Sequence, residues 1–351
     1  MASIIKNYSI SDDFKTIMSS CNDIFKELNN SHIFLTGGTG FIGVWILKSI
    51  LYANTNMNLK IKVTILTRNI QSFANKFPDL GSYENFKYIE GDIVDFEYPN
   101  IKYDYIIHGA TDASAELNEK HPDKMFSTIV DGTNHILKMS KKIKVKKFLY
   151  MSSGAVYGNQ PVNMSKIEES WFGSVNFVDT KSAYAEGKRS AEMLCSIYNK
   201  KHNIDISIAR IFALLGPYLT LGIHFAAGNF ILDAINDRKV IVNGNGLPTR
   251  SYLYPTDLVI SLFNLLIKKE EKLNPYNLGS DEAISIKELA EKISKLIGNG
   301  KYEVLDHSDS GWNLGRYVPD TNKFSKDFNI NRIVSLDEAI IKTAKWNGWE
   351  K

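Results

Sequence analysis

The sequence predicts an α/β fold: a doubly wound parallel sheet followed by a smaller, less regular C-terminal region. Three observations carry this expectation. Short, continuously apolar segments alternate with amphipathic ones from Ser31 to about Phe212. A glycine-rich turn follows the first apolar segment directly. After Phe212 the alternation gives way to short segments broken by Gly, Pro and Asn, as in "VNGNGLPTRS" and "KLNPYNLGS". Strands that are apolar at every position are buried on both faces, which is the condition of a parallel sheet covered by helices.

Taken in order, residues 1–30 read as a helical extension. "SDDFKTIMSSCNDIFKEL" places apolar residues at helical spacing over residues 10–30, with Ser11 as its expected N-cap. Strands are expected at "HIFLTG", "KVTILT", "KYIEGD", "YDYIIHGA", "KKFLYMSS" and "DISIARIF". Helices are expected around residues 41–53, 70–77, 122–140 and 181–202. The regular unit therefore spans 31–212. Residues 213–351 form the second region, with some segments expected to return to the sheet.

The bulk properties exclude several functions. The chain has 351 residues, 44% hydrophobic and 23% charged, with a net charge of +3, the balance of an ordinary globular protein with no nucleic-acid partner. The Lys-rich piece "KMSKKIKVKKF" reads as a helix end, where cations suit the dipole, running into a buried strand. Cys21 and Cys195 are far apart and form no metal-ligand or redox spacing, so no metal is expected. The N-terminus lacks the pattern of a signal peptide, and no apolar run approaches the ~20 residues of a membrane helix. A cytoplasmic, reduced setting is expected, with no membrane partner.

"IFLTGGTGFIGVWIL" runs strand, turn, helix, with glycines at Gly37, Gly40 and Gly43. Gly37 permits the tight turn, Gly40 lets a pyrophosphate approach the backbone, and Gly43 lets helix pack on strand. The helix start at Phe41 and Ile42 then points free N–H groups at the anion. This makes 31–212 a dinucleotide-binding unit. The second strand ends Thr67, Arg68, Asn69, with no acid to accept from a ribose 2′-hydroxyl. Arg68 suits a 2′-phosphate, which favours NADP over NAD, although NAD stays open if Arg68 is a solvated loop residue. Asp92 and Ile93, after the third strand, are expected beside the adenine. "HGATDAS", with Ala110, is expected along the pyrophosphate or nicotinamide ribose, and His108 is expected to be a packed residue.

Tyr184 and Lys188 are spaced i, i+4 and share a helix face. A phenol near its usual pKa of about 10 is a poor base, but an ammonium and an oxidised nicotinamide both favour the phenolate. Lys188 is also placed to hold the cofactor ribose. Ser153, at a strand end, is placed to bond the same substrate oxygen. Such a set moves a proton at a carbinol while a hydride is exchanged with the cofactor.

With these residues in view, the chain resembles the extended short-chain dehydrogenase/reductase family of nucleotide-sugar epimerases and dehydratases. The motifs are "TGGTGFIG", "GDI", "HGATDAS", "SSGAVYG", "YAEGK", "GPY", "RSYLYPTDL" and "GRYVPDTNK", covering Ser31 to Lys351. The resemblance implies a Rossmann domain holding NAD(P), a C-terminal region binding a nucleoside-diphosphate sugar, and a homodimer built on helices 122–140 and 181–202. It implies catalytic roles for Ser153, Tyr184 and Lys188, and diphosphate contacts from Arg250 and Arg316. The family's Asn positions are here Ile129 and Ala213, and Asn229 is expected to supply the missing contact.

The 4,6-dehydratases of that family carry an Asp-Glu pair where this chain has Gly154 and Ala155, and the decarboxylases usually carry Glu at the second position. Neither Gly nor Ala moves a proton. The residues therefore fit a 4-epimerase or 4-ketoreductase acting on a nucleoside-diphosphate hexose. Two alternatives stay open: a 4,6-dehydratase using acids displaced to Glu186 or Glu116, and a non-catalytic NAD(P)-sensing protein.

Overall fold

The computed structural model describes residues 8–111, 115–161, 163–223, 225–269, 272–305 and 315–350. Asp112, Ala113 and Ser114 of "HGATDAS" lie outside them. The order begins with α1 (Ile10–Ser20), α2 (Asn22–Glu27), β1 (His32–Thr36), α3 (Phe41–Met57), β2 (Lys62–Thr67), α4 (Ile70–Lys76), α5 (Pro78–Gly81), β3 (Phe86–Glu90) and β4 (Tyr105–His108). It continues with α6 (Ala115–Lys120), α7 (Pro122–Ile143), β5 (Lys147–Ser153), α8 (Ala183–His202), β6 (Ile206–Ile211) and α9 (Ala226–Ile235). The remainder is β7 (Val240–Val242), β8 (Thr249–Arg250), α10 (Pro255–Ile267), β9 (Pro275–Leu278), β10 (Ile284–Ser285), α11 (Ile286–Ile297), β11 (Tyr302–Val304), β12 (Arg316–Tyr317), α12 (Asn322–Phe328) and α13 (Leu336–Trp346).

Seven strands form one sheet in the order β3-β2-β1-β4-β5-β6-β9, every pair parallel. This is the expected Rossmann-like doubly wound sheet. Its side chains divide between two layers. Ile33, Leu35, Leu149 and Met151 join the core beneath α3 and α10, while Phe34, Phe148 and Tyr150 join the core beneath α7 and α8. Buried on both faces, these strands have no polar side to alternate with. The order reverses between β1 and β4, and in such sheets ligands bind where the carboxyl ends diverge at the reversal.

The helical extension differs from the expected single helix. Cys21 interrupts it, and Ser9 rather than Ser11 caps α1, its side chain accepting from Ser11 N. Its packing explains a feature of the sequence. Helix α3 is apolar nearly all round, because its outer side is covered as well. Phe14 of α1 lies 5.2 Å from the Trp45 ring and 6.2 Å from Tyr52. Asp13 is buried and accepts from Tyr254 Oη and Tyr8 Oη at 2.7 Å and from Lys342 Nζ at 2.7 Å. One carboxylate thus ties the extension to α10 and α13.

The lysine-rich stretch behaves as expected. Lys141 and Lys142 end α7, and Lys147 is buried in β5 with its ammonium on Asp205 Oδ1 at 2.7 Å. Beyond β6, β9 returns to the main sheet, while β10-β8-β12 and β11-β7 form two small sheets. No helix among the described residues is long and apolar enough to cross a membrane.

Candidate active site

The glycine turn sits at the reversal point. Gly37 has φ +74, a left-handed conformation, and a Cβ there would lie 2.6 Å from Gly109 O after β4. A Cβ on Gly43 would lie 2.4 Å from Gly37 O. Two of the three glycines are therefore compelled by close backbone approach. Gly40 is different: its backbone is ordinary, and a Cβ would meet only Gly37 O at 3.4 Å. Glycine at that position leaves open a space above the start of α3, where Phe41 and Ile42 present the first helical N–H groups. These residues fit a dinucleotide pyrophosphate.

Around this cradle, Thr36 Oγ1 accepts from Gly109 N and Ala110 N at 3.1 Å, binding the ends of β1 and β4 together. His108 is packed as expected, between Thr36 Oγ1 at 2.7 Å and Thr133 Oγ1 at 3.0 Å, and burial pulls it down to about 3. Thr67 is buried at the end of β2 with its hydroxyl accepting from Asn69 N, and Arg68 is exposed beside it. Asp92 is exposed, its carboxylate accepting from Val94 N, while Ile93 packs beneath it against Gly132.

Ser153 closes β5. It is buried, and its Oγ accepts from Ala155 N at 3.1 Å. Tyr184 opens α8, with its N–H held by Asn118 Oδ1 at 3.0 Å. One turn on, Lys188 is buried, and its ammonium donates to Met151 O at 2.9 Å and lies 5.9 Å from the Tyr184 ring. The structure thus brings the three expected residues to adjoining ends of β5 and α8. Burial pulls Lys188 down to about 8, with Glu192 opposing it. Burial holds Tyr184 above its ordinary value, and only the Ser153 hydroxyl pulls the other way.

A polar layer behind the site was not anticipated. Glu192, one turn past Lys188, accepts from Ser152 Oγ at 2.6 Å and pairs with Arg210, Nη2 to Oε2 at 2.7 Å. Arg210 donates to Tyr157 Oη at 2.8 Å, and Tyr157 donates to Asn277 Oδ1 at 2.8 Å. These ties link β5, α8, β6 and β9. The charges of Glu192 and Arg210 gave no spacing signal, because their partners come from four separate elements.

The remaining candidates are distributed differently from one another. Strands β8 and β12 pair in parallel, Tyr317 opposite Arg250 and Arg316 opposite Thr249. Opposed residues share a face and successive residues alternate, so Arg250 and Arg316 point to opposite sides. Arg250 Nη1 donates to Gly315 O at 2.6 Å, and Arg316 Nε donates to Ser165 O at 2.8 Å. Asn229 is exposed on the first turn of α9. Ile129 packs against Gly187, under the Tyr184–Lys188 turn. The displaced-acid candidates each pair on their own helix: Glu116 with Lys120 at 2.7 Å on the surface, and Glu186 with Arg189 at 3.7 Å.

A glycine cradle at a sheet's reversal point, with Ser, Tyr and Lys beside it, defines an extended short-chain dehydrogenase/reductase. Residues 33–279 match the NAD dependent epimerase/dehydratase family. The chain belongs to that family and is an enzyme of its type. It is 31% identical over 318 residues to UDP-glucuronic acid decarboxylase 1 of Xenopus tropicalis, covering 90% of this chain and 72% of that protein. It is 31% identical over 312 residues to UDP-glucuronic acid decarboxylase 5 of Arabidopsis thaliana, covering 89% and 88%. Among solved structures, an epimerase from Methanothermobacter thermautotrophicus superposes with a TM-score of 0.77 at 23% identity, covering 96% of this chain and 97% of that one. That likeness establishes the fold.

Proposed function

We propose that this enzyme carries out redox chemistry at C4 of a nucleoside-diphosphate hexose, as a 4-epimerase or 4-ketoreductase, without dehydration or decarboxylation. The observation that carries the reading is the make-up of the site beside Ser153. Gly154 and Ala155 follow it, and the nearby acids are committed elsewhere: Glu192 to Arg210, Glu186 to its own helix and Glu116 to Lys120. Expelling water across C5 and C6 needs proton transfers that these residues do not supply. On this reading the chain shares its family with the UDP-glucuronic acid decarboxylases it resembles in sequence, and differs from them in outcome.

The bound nicotinamide supplies hydride exchange at C4. The chain supplies the proton chemistry and the geometry. Tyr184 takes the proton of the C4 hydroxyl and gives it back on return, and Ser153 bonds the same oxygen. Lys188 grips the ribose and stabilises the developing phenolate. Gly40, Phe41, Ile42 and Gly43 hold the pyrophosphate, with Gly37 and Ala110 shaping the cradle. Thr67, Arg68, Asp92 and Ile93 border the adenosine end. Arg68 and the missing acid after β2 favour NADP, while kinship with an NAD dependent family favours NAD. Relative affinities of the two for wild type and Arg68→Ala decide between them. Arg250 is assigned to the substrate diphosphate, with Asn229 as a flanking contact; Arg316, on the opposite face and bonded to Ser165 O, is left out of that assignment.

A homodimer through α7 and α8 fits the apolar residues these helices leave outside, Phe126 at 38% exposure on α7 and Met193 at 62% and Ile197 at 46% on α8. Sedimentation of wild type against Ile197→Glu checks this. The catalytic assignment is tested by Tyr184→Phe. It should lower turnover of UDP- or dTDP-hexoses at C4 at least ~100-fold while leaving NAD affinity within about twofold. Unchanged turnover contradicts the assignment.

A further inference from the structure

Helix α8 carries both Tyr184 and Lys188, yet its start is capped from outside. Its first residue is Ala183, and among the described residues the Ser182 side chain makes no capping bond to it. The first N–H groups of a helix have no partner within it, and a capping side chain normally supplies one. Here the partner comes from another element. Asn118, half-buried on α6, accepts from Tyr184 N through Oδ1 at 3.0 Å and donates through Nδ2 to Lys181 O at 2.8 Å. A side-chain amide offers an acceptor and a donor together, and the two peptide groups it meets need one of each. One residue thus bridges the turn Thr180–Ser182 and the first turn of α8.

We propose that Asn118 is a positioning residue for Tyr184, its amide fixing the start of α8 so that the phenol stands against Ser153 and the substrate's C4 oxygen. This rests on the C4 redox reading given above. A helical side chain leans back over the turn that precedes it. For Tyr184 that turn is the one Asn118 holds at Lys181 O. Asp179 holds the same turn from its other side, its carboxylate accepting from Lys181 N at 3.0 Å. Lys181 is therefore tied at both its N–H and its C=O, and Tyr184 is tied at its N–H three residues on.

The support for Asn118 is also in place. On α6, Leu117 packs on the same core as Ala110 and Tyr184, and its carbonyl accepts from His121 N at 2.8 Å, leading into α7. Asn118 therefore stands on the segment between the cofactor cradle and α7, and grips the segment that carries the phenol. Proton transfer needs near-contact geometry, so a shift of about an ångström at this tie is costly to turnover.

The test uses the full-length enzyme, with NAD and with UDP-, dTDP- and GDP-glucose as probes. Urea denaturation checks that each variant is folded. Asn118→Ala removes both bonds and should lower kcat about tenfold, the scale of a useful hydrogen bond, while KM and NAD affinity stay within about twofold. Asn118→Asp keeps the acceptor for Tyr184 N, and a carboxylate suits a helix N-terminus, so its kcat should return to within about threefold of wild type. In a Tyr184→Phe background, read by single turnover, Asn118→Ala should cost less than about twofold, since its route of action is gone. The role is overturned by an unchanged kcat in Asn118→Ala, by an Asp variant as slow as the Ala variant, by a loss carried in NAD affinity instead, or by equal losses with and without the phenol. If wild type neither binds nor turns over UDP-, dTDP- or GDP-hexoses, the C4 reading falls and takes this inference with it. An active wild type whose kcat survives Asn118→Ala defeats this inference alone.

Discussion

Lys188→Met separates what the site needs from what the fold prefers. Lys188 is buried, and that burial pulls it from 10.5 to about 8. Near neutral pH the folded protein carries the charged form at a penalty of about 3 kcal/mol relative to the unfolded chain. Between about pH 8 and 10.5 the unfolded chain binds the proton more readily than the folded one, so the folded state gains stability as pH rises there. Below 8 the penalty is complete. Methionine keeps the length without the charge, and forfeits the bond to Met151 O and the cation–π contact with the Tyr150 ring at 5.1 Å, each worth about 1 kcal/mol. The variant should therefore be more stable than wild type by about 1 kcal/mol near pH 7, with the gap closing by about pH 9. Function should move the opposite way. Lys188 Nζ lies 5.9 Å from the centre of the Tyr184 ring, near enough for its charge to favour the phenolate as it forms. Turnover near pH 7 should fall about 100-fold, with partial recovery at higher pH. Urea denaturation of the cofactor-free protein and pH–rate profiles read the two effects. A variant that is less stable and keeps its rate near pH 7 refutes the reasoning.

Other expectations are independent of this one. Asp13→Ala leaves the half-buried Lys342 and the Tyr8 and Tyr254 hydroxyls without their shared acceptor and should cost about 3 kcal/mol in urea denaturation; a cost below about 1 kcal/mol would show that the extension is not held by this carboxylate. Asp257 accepts from Ile333 N and Val334 N, but burial pushes it up to about 6. Its folded value exceeds its unfolded one, so wild type should lose stability, by about 3 kcal/mol at most, as pH rises from about 4 to 6. Asp257→Asn should lack that slope, and an unchanged slope contradicts the assignment. Gly40→Val meets no protein atom closely and should fold within about 1 kcal/mol of wild type, yet bind NAD at least ~30-fold more weakly because its side chain fills the cradle; intact NAD binding by calorimetry would remove the pyrophosphate from that position.

The parts legible from sequence are those whose signals are local. The Gly37–Gly43 turn, the apolar strands and the Tyr184–Lys188 spacing each lie within one strand–turn–helix or one helix turn, where residue type and period bear directly on geometry. Ser153 was legible because it ends an apolar strand. The break at Cys21 was not, because both halves of the extension keep their apolar stripes. Strands β8, β10 and β12 are two residues long and carry no period at all. Their pairing alone sends Arg250 and Arg316 to opposite faces.

The most direct measurement is the mass and C4 configuration of the product after purified enzyme is incubated with NAD(P) and UDP-, dTDP- and GDP-hexoses. The account predicts a product that keeps every carbon and oxygen of the sugar, either inverted at C4 at unchanged mass or differing from substrate by two hydrogens. A product lighter by one water or by carbon dioxide contradicts it.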